Sequence, residues 1–331
     1  MAITQRQRET SNTADLAINH ICERFAQATT LAPIVKRQYQ EALPHVYALA
    51  KRGVTLDIEF IEHLQGPSEK CPLASKVDRV EDLRSRTFLI RKTISEDLSE
   101  HGALYGGLVN TIVWSHKMRA NGDTSAPVVV AIALSETGQW EIYLEYCPQN
   151  NFWEKAQELV KNKHQLTDKM LLTMARAFVA LVARAHQVGM IHRDIKLSNG
   201  VIRSLSEDAI DCALIDYDFA ANALDASYFV GRSTIATMPY TPPEGPAVKT
   251  TTDVYALGIS LYELLLFQKF ITTFSQKRAE LIEGIRNREI KIPEELRSHP
   301  LMPVILKAVA FDISQRYPTA ESLLLDMPTN I

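Results

Sequence analysis

The run HRDIKLSN, residues 192–199, places a carboxylate, an ammonium group and an amide at short fixed spacing. Asp194 could accept a proton from an acceptor hydroxyl, Lys196 could neutralise a migrating phosphoryl group, and Asn199 could hold a metal ion. Phosphoryl transfer from a magnesium nucleotide requires these three functional groups. The alternative is a surface loop rich in charge, and the residues that follow decide between the two interpretations.

A second acidic position lies at the end of an apolar strand, in the run LIDYD at residues 214–218. The runs 192–199 and 214–218 resemble, in that order, the catalytic loop and the D-F-G metal motif of protein kinases. This resemblance implies that Asn199 and Asp216 bind Mg2+. Asp218 stands where the family has glycine. Glycine tolerates backbone angles that cost other residues energy, and Asp is among the better substitutes at positive φ, so the replacement bears on the geometry and mobility of this segment and could add a negative charge beside the metal.

Three further segments extend the resemblance towards the carboxyl end. Residues 237–244 read TMPYTPPE and resemble the family's T-x-x-Y-x-A-P-E segment, which shapes the acceptor groove. The resemblance implies that the Thr237 hydroxyl bridges the catalytic aspartate and lysine. It also implies that Asp253, in the run DVYALG, supports the catalytic loop from below, and that Arg316 pairs with Glu244.

A hairpin is predicted upstream, where the apolar stretches 128–134 and 140–144 flank Thr137-Gly138. Its second strand runs into Glu145-Tyr146-Cys147. This segment resembles the hinge between kinase lobes, whose backbone groups bind the adenine edge. The resemblance therefore implies nucleotide contacts at Glu145 and Cys147.

The nucleotide lysine is predicted on the second of two earlier strands. Residues 74–83 and 87–94 resemble strands two and three of the small lobe, and Val77 is implied to contact the nucleotide. Arg91 and Lys92 are neighbours, and strand alternation places them on opposite faces, so only one can point at the phosphates. We favour Lys92, because the family uses a lysine, although Arg91 also fits the family's A-I-K pattern.

Two elements of the small lobe match the family weakly. The family's glycine-rich pattern is absent, and Gly66 is the glycine that remains as a candidate for the loop covering the nucleotide phosphates. A side chain such as that of Lys70 could cover the phosphates instead. Residues 98–118 have helical periodicity. Glu100, or Glu96 before it, is the candidate partner of the nucleotide lysine, although an acid at a helix N-terminus needs no such role.

Composition sets the wider limits. The chain has 331 residues, of which 46% are apolar and 23% charged, with a formal net charge of −3, so it is globular and carries no global signal for nucleic acid. Its four cysteines show no metal-binding spacing, which favours a reduced compartment. The longest apolar stretch, 256–267, is interrupted by Glu263 and predicts a buried helix rather than a membrane span. We expect a cytoplasmic protein, or a secreted effector acting in a host cytosol.

The resemblance implies an α+β, bilobal kinase-like fold that binds ATP and Mg2+ between its lobes. The small lobe, 54–147, would hold an antiparallel sheet and one helix. The large lobe, 148–331, would be mainly helical and would place Val201 at the nucleotide, with the helix 166–188 carrying the catalytic loop. Residues 1–53 lie outside the resemblance, and their periodicity predicts two helices that brace the domain or bind a substrate or regulatory partner.

The implied activity is transfer of the γ-phosphoryl group of ATP to protein acceptors. Lys196 follows the family's serine/threonine pattern, so we expect Ser and Thr acceptors. The arginine before the catalytic aspartate, here Arg193, resembles the pattern of kinases in which this residue binds a phosphate on the activation segment. The resemblance therefore predicts autophosphorylation at Ser233, Thr234 or another hydroxyl between Asp216 and Glu244. Two alternatives remain open: a pseudokinase that acts as a binding scaffold, and a kinase for small molecules.

Overall fold

The computed structural model describes residues 40–41, 44–45, 48–49, 56–65, 76–94, 105–134, 139–162, 166–222, 239–245 and 248–329. The chain divides into two compact units, Met1–Tyr146 and Cys147–Ile331. The domain limits proposed from the sequence stay predictions.

The first unit contains a five-stranded antiparallel sheet in the order β1-β2-β3-β5-β4. Its strands are β1 (Ile58–Gln65), β2 (Lys76–Asp82), β3 (Thr87–Ile94), β4 (Val129–Leu134) and β5 (Trp140–Glu145). The strands predicted before the catalytic loop are therefore confirmed. Helix α1 (Tyr105–Arg119) lies between β3 and β4 in sequence, and it corresponds to the later part of the helix predicted at 98–118.

Helix α1 contacts the described part of the N-terminal segment. Lys117 Nζ donates to Glu41 Oε2 at 2.7 Å, and the rings of His45 and His116 lie 3.7 Å apart between centroids. The N-terminal residues in these contacts are helical. The first predicted helix of this segment lies outside the described residues.

The second unit is mainly helical, as predicted. Its helices are α2 (Phe152–Lys161), α3 (Asp168–Gln187), α4 (Thr250–Phe270), α5 (Phe274–Arg286), α6 (Glu294–Arg297), α7 (Met302–Ala308) and α8 (Ala320–Asp326). Two small antiparallel sheets pair β6 (Met190–Ile191) with β9 (Ala221–Asn222) and β7 (Gly200–Leu205) with β8 (Ile210–Leu214). Together the two units have the α+β content expected of a bilobal kinase fold.

Helix α3 carries the chain into the catalytic loop. Thr167 caps its N-terminus, because its hydroxyl accepts the backbone N–H of Met170 at 3.1 Å. The helix ends just before Gly189, whose φ of +80° is a conformation that favours glycine. These two residues fix the length of the helix and set the point at which β6 and the loop begin.

Helix α4 is the buried centre of the second unit. A Cβ atom on Gly258 would lie 2.6 Å from Val309 Cγ1 and 2.8 Å from Ala308 Cβ, so α4 and the end of α7 approach more closely than any larger residue allows. Among the described residues, the stretch Thr250–Arg286 is long and apolar enough to cross a membrane, but it is mostly buried here. A core helix meets the same criterion, so the expected absence of a membrane span stays a prediction.

Candidate active site

The catalytic loop places two donor side chains around one carboxylate. Lys196 Nζ donates to Asp194 Oδ2 at 2.6 Å, and Asn199 Nδ2 donates to the same oxygen at 3.1 Å. Asn199 Nδ2 also bonds the backbone carbonyl of Asp194 at 2.8 Å. Asp194 is 6% exposed and Asn199 is 4% exposed, so these bonds form largely out of water. The three residues predicted to share one site therefore do so.

Asp253 anchors the loop from α4, as the resemblance implied. Its carboxylate accepts the backbone N–H of His192 at 2.7 Å and that of Arg193 at 2.8 Å. The imidazole of His186, which the sequence reasoning missed, donates to Asp253 from Nε2 across 3.1 Å. The Nδ1 atom of His186 accepts from Ala320 N. A fully buried carboxylate is thus matched by three donors, which satisfies the charge and fixes the loop.

The predicted metal aspartate is tied to the same loop. Ile215 N donates to Asn199 O at 2.9 Å, so Asp216 follows directly on a residue bonded to the catalytic loop. His192 Nε2 donates to the Ile215 carbonyl at 2.9 Å, because a carbonyl oxygen can only accept. These two bonds bring Asp216 next to the loop that carries Asp194 and Asn199.

Asp218 does not adopt a positive φ angle. The described non-glycine residues with positive φ are Arg86, Asn150, Arg193, Asp216 and Arg288. Asp218 instead lies in a 3₁₀ turn over Tyr217–Phe219, where aspartate meets no such cost. The left-handed position is Asp216 itself, at φ +67°, and aspartate is among the residues that tolerate this conformation. Replacement of the family's glycine is therefore compatible with the backbone here.

Tyr217 stands where the resembled D-F-G motif has phenylalanine, and it packs inward. Its side chain is 1% exposed, and its ring meets that of His192 edge-on with centroids 5.8 Å apart. The hydroxyl donates to the Leu214 carbonyl. The additional polar atom is thus satisfied inside the core.

Gly200 packs closely against two aromatic rings of the helical core. A Cβ atom at this position would lie 2.8 Å from the ring of Phe152 and 2.9 Å from that of Phe178. Asn199 is the preceding residue, so the glycine sets how closely the amide can approach the core. Val201, the residue implied to contact the nucleotide, is half-buried on β7 opposite Ala213.

Arg193 combines a strained backbone with a half-buried side chain. Its φ is +69°, and its Nη1 donates to the Phe219 carbonyl at 3.3 Å. Burial lowers the pKa of this guanidinium, and the charge of Asp253 opposes that effect. An additional anion would therefore stabilise the charged side chain.

The ion pair implied between Arg316 and Glu244 is confirmed. Arg316 Nη1 and Nη2 donate to the two carboxylate oxygens of Glu244 at 2.6 and 2.8 Å. Arg316 is 4% exposed, and its guanidinium lies over the ring of Tyr255 at 4.9 Å from the centroid. This two-bond contact fixes one end of the acceptor segment. Thr237, at the other end, lies outside the described residues.

The two faces of β3 separate Arg91 from Lys92. Arg91 Nη2 lies 2.8 Å from Asp78 Oδ2, and its Nη1 lies 3.7 Å from Glu141 Oε1. Lys92 stands on the other face, directly opposite Val77 on β2 and Ile142 on β5, and is 7% exposed. Arg91 is thus engaged by two acids on the face away from Val77.

The remaining residues assigned to the nucleotide differ in what the structure shows. Glu145 makes two bonds to Val128, the residue before β4: its backbone N–H donates to the Val128 carbonyl, and its carboxylate accepts the Val128 N–H. Cys147 is buried with a free thiol. Gly66 and Glu100 lie outside the described residues.

The sequence of this chain is similar to that of known proteins. The family model described as the protein kinase domain matches residues 115–326. Serine/threonine-protein kinase PrkC of Bacillus subtilis is 29% identical over 180 residues, 52% of this chain and 26% of PrkC. Serine/threonine-protein kinase PknB of Mycobacterium tuberculosis is 26% identical over 270 residues, 76% of this chain and 40% of PknB. Serine/threonine-protein kinase Nek9 of Mus musculus is 27% identical over 193 residues, 56% of this chain and 18% of Nek9. The chain spans less than half the length of each of these relatives.

Proposed function

Because the chain belongs to the protein kinase family, we propose that it transfers the γ-phosphoryl group of Mg-ATP to serine and threonine hydroxyls of proteins. The observation that carries the proposal is the buried cluster in which Lys196 and Asn199 both donate to Asp194 Oδ2. The names of the relatives, which are serine/threonine-protein kinases, support the choice of acceptor. The substrates and the activity of the whole protein belong to the same proposal.

Each residue of the cluster has one task in this reaction. Asp194 aligns the acceptor hydroxyl and takes its proton, while the ammonium group of Lys196 stabilises the charge of the transferring phosphoryl group. The bonds to Asp253 hold both residues in place before substrate arrives. Catalysis by such a site is mainly positioning and charge stabilisation.

The donor set also fits a magnesium ion. Asn199 directs its amide nitrogen to Asp194, which turns the amide oxygen of Asn199 into the atom suited to a hard cation. Asp216 adds a carboxylate next to the same loop. Mg2+ is commonly held by one or two such groups together with substrate phosphates. When bound, the ion would neutralise charge on the nucleotide phosphates.

The small sheet would supply the remaining nucleotide contacts. Lys92 and Val77, both assigned to ATP, lie on one face of the sheet. On the opposite face, Arg91 forms ion pairs with Asp78 and Glu141. This arrangement supports Lys92 as the residue that orients the phosphates. Glu145 and Cys147 would offer backbone groups to the adenine edge.

Replacing Lys92 with Met is expected to raise KM for ATP about tenfold and to lower kcat about 100-fold, because phosphate orientation is lost. The matched variant Arg91→Met removes a cation from the next position. Since it leaves buried Asp78 short of one partner, we expect it to lower the free energy of unfolding by about 2 kcal/mol with ATP KM nearly unchanged. Steady-state kinetics and urea unfolding measure both effects, and the reverse pattern would assign the phosphates to Arg91.

Autophosphorylation is part of the proposal. Arg193, whose half-buried guanidinium would be stabilised by an anion, supports a phosphate on Ser233 or Thr234. We expect the phosphorylated enzyme to be about tenfold more active than the Ser233→Ala/Thr234→Ala variant, since a phosphate adds charge-assisted hydrogen bonds. Intact-mass spectrometry with activity assays measures this, and a fully active enzyme without phosphate would contradict it.

The proposed function is tested by transfer of labelled γ-phosphate from Mg-ATP to the protein itself and to a generic Ser/Thr substrate. Incorporation into serine and threonine is the expected result. Transfer to small hydroxyl compounds but not to protein would favour the small-molecule kinase. Nucleotide binding without any transfer, with Mn2+ also tried, would favour the pseudokinase.

We place the reaction in a reducing cytosol, either that of the producing cell or that of a host. The free thiols of Cys147 and Cys212 support this proposal. Thiol labelling of the freshly purified protein tests it.

A further inference from the structure

The side chain of Arg79, on β2, lies against two aromatic rings of the first unit. Its guanidinium carbon is 5.4 Å from the centroid of the Phe88 ring and 5.5 Å from that of the Tyr146 ring. Its Nη1 donates to the Tyr146 hydroxyl at 3.2 Å, and its Nε lies 3.1 Å from Glu62 Oε1. The two rings meet edge-on, with centroids 6.1 Å apart. Strands β1, β2 and β3 thus each contribute one side chain to a cluster around Tyr146.

The Arg79 side chain belongs to the sheet face that the proposed function assigns to ATP. Residues two apart on a strand share a face, so Arg79 lies on the face of Val77. In the register of β2 and β3, Val77 is opposite Lys92 and Arg79 is opposite Ile90. Val77 and Arg79 are half-buried, whereas Asp78 between them is fully buried. Arg79 is therefore on the more open face, two residues or about 7 Å along the strand from the pair that contains Lys92.

Tyr146 lies at the point where the adenine base is proposed to bind. It follows Glu145, the last residue of β5, and it ends the first compact unit. Glu145 is attached to Val128 through both its backbone N–H and its carboxylate. The Arg79 side chain holds the next residue from the side of β2 and β3. Residues 145–146 are therefore attached to the sheet from two sides.

We infer that Arg79 is a positioning residue for the adenine base, acting through Tyr146 to orient the backbone of Glu145 and Tyr146. The inference rests on the proposed function, since it takes this backbone to bind the adenine edge. A segment that is ordered in advance loses less conformational freedom when it binds a ligand. Phe88, a large apolar side chain that is 45% exposed, serves the contact with the guanidinium rather than the core.

The position of the cluster predicts which part of the nucleotide is affected. A loosened segment 145–146 should weaken the binding of every ligand that carries adenine, including adenosine, which has no phosphate. Tripolyphosphate, which has no base, should bind as before. Loss of the Lys92 ammonium group should produce the opposite pattern, because that residue is assigned to the phosphates. A purely structural role would reduce the fraction of protein able to bind and would affect all these ligands alike.

The first test is Arg79→Met, since methionine keeps much of the apolar stem and removes the charge and the hydrogen bond to Tyr146. Isothermal titration with adenosine, Mg-ADP and Mg-tripolyphosphate measures the effect. We expect Kd for adenosine and for Mg-ADP to rise about tenfold each, and Kd for tripolyphosphate to change by less than about twofold. Unchanged affinity for adenosine in protein that binds Mg-ADP, or an equal loss for all three ligands, would overturn the inference.

Arg86→Met is the matched control. Arg86 is an exposed arginine between β2 and β3, paired with Glu81, and it makes no described contact with Tyr146. This variant should bind all three ligands as wild type does. Weakened adenosine binding in Arg86→Met equal to that in Arg79→Met would assign the effect to the charge of the hairpin and would overturn the inference.

A double variant tests whether Arg79 acts through Tyr146 or touches the base itself. Tyr146→Leu removes both the ring and the hydroxyl, so it should raise Kd for adenosine by about the same factor as Arg79→Met. If Arg79 acts through Tyr146, the double variant Arg79→Met/Tyr146→Leu should bind adenosine no more weakly than the more affected single variant. Additive losses would show that Arg79 acts independently of Tyr146 and would refute its positioning role.

Hydrogen exchange separates this inference from the proposed function, because it requires neither nucleotide nor catalysis. In Arg79→Met, the amides of Glu145 and Tyr146 should exchange about tenfold faster than in wild type, with those of α3 unchanged. Unchanged exchange at these two amides would refute the positioning role even for an active kinase. Faster exchange in a protein whose wild type binds none of the three ligands would refute the proposed function alone.

Discussion

Replacing Asp194 with Asn is expected to lower kcat for phosphate transfer by about 10³-fold, the range typical of a lost general base. The carboxylate accepts hydrogen bonds from Lys196 and Asn199, and it is the group that would take the acceptor's proton. An amide of the same shape cannot take that proton. If its NH2 group faced Lys196 or Asn199, it would place one hydrogen-bond donor against another.

The measurement is single-turnover transfer of γ-phosphate, together with thermal unfolding to verify that the variant folds. Asp208→Asn is the matched control, because Asp208 is an exposed acid in the turn between β7 and β8 and is paired with Lys169. We expect KM for ATP to change little in both variants. Undiminished transfer by Asp194→Asn would show that positioning alone supports the reaction or that another group accepts the proton.

Replacing Arg316 with Met is expected to lower the free energy of unfolding of the second unit by about 2 kcal/mol, in the range for hydrogen bonds to a charged group. Arg316 is buried and donates two hydrogen bonds to Glu244, and its Nε donates to the Ala310 carbonyl at 2.7 Å. Methionine preserves much of the packing over Tyr255 but leaves the carboxylate and the carbonyl without these donors.

Guanidinium chloride unfolding, followed by circular dichroism, measures the loss. Arg297→Met serves as the control, since an exposed pair contributes less than about 1 kcal/mol. We also expect Arg316→Met to raise KM for the protein substrate, because Glu244 ends the acceptor segment. If Arg316→Met is as stable as wild type within experimental error, the energy gained from the two hydrogen bonds to Glu244 is offset by the cost of burying the guanidinium.

The sequence predicted the residues that act through short, fixed spacing. Asp194, Lys196 and Asn199 lie within one loop, so their grouping follows from the chain itself. The pairing of Glu244 with Arg316 spans 72 residues and was reached through the family resemblance rather than from local pattern. Local spacing and resemblance thus recovered most of the second unit's chemistry.

Contacts through space were harder to predict. The replacement of the family's glycine by Asp218 left the geometry of this segment open, because the sequence does not give φ angles, whereas the structure places positive φ at Asp216. His186 has no motif around it, and its role depends on where α3 packs. Glu263 did give a signal, since an acid inside an apolar helix requires a buried partner, but nothing in the sequence identified Arg278 and Tyr240 as the partners of its carboxylate.

The anchoring of the catalytic loop has an evolutionary consequence. The bonds described for His192 to Asn199 reach Asp253, Ile215 and Phe219, all within the second unit. Mutations in the strands of the first unit leave these described bonds in place, so selection can act on the sheet and on the catalytic loop separately. A lineage with this architecture can lose the family's glycine-rich pattern and still inherit an intact catalytic loop.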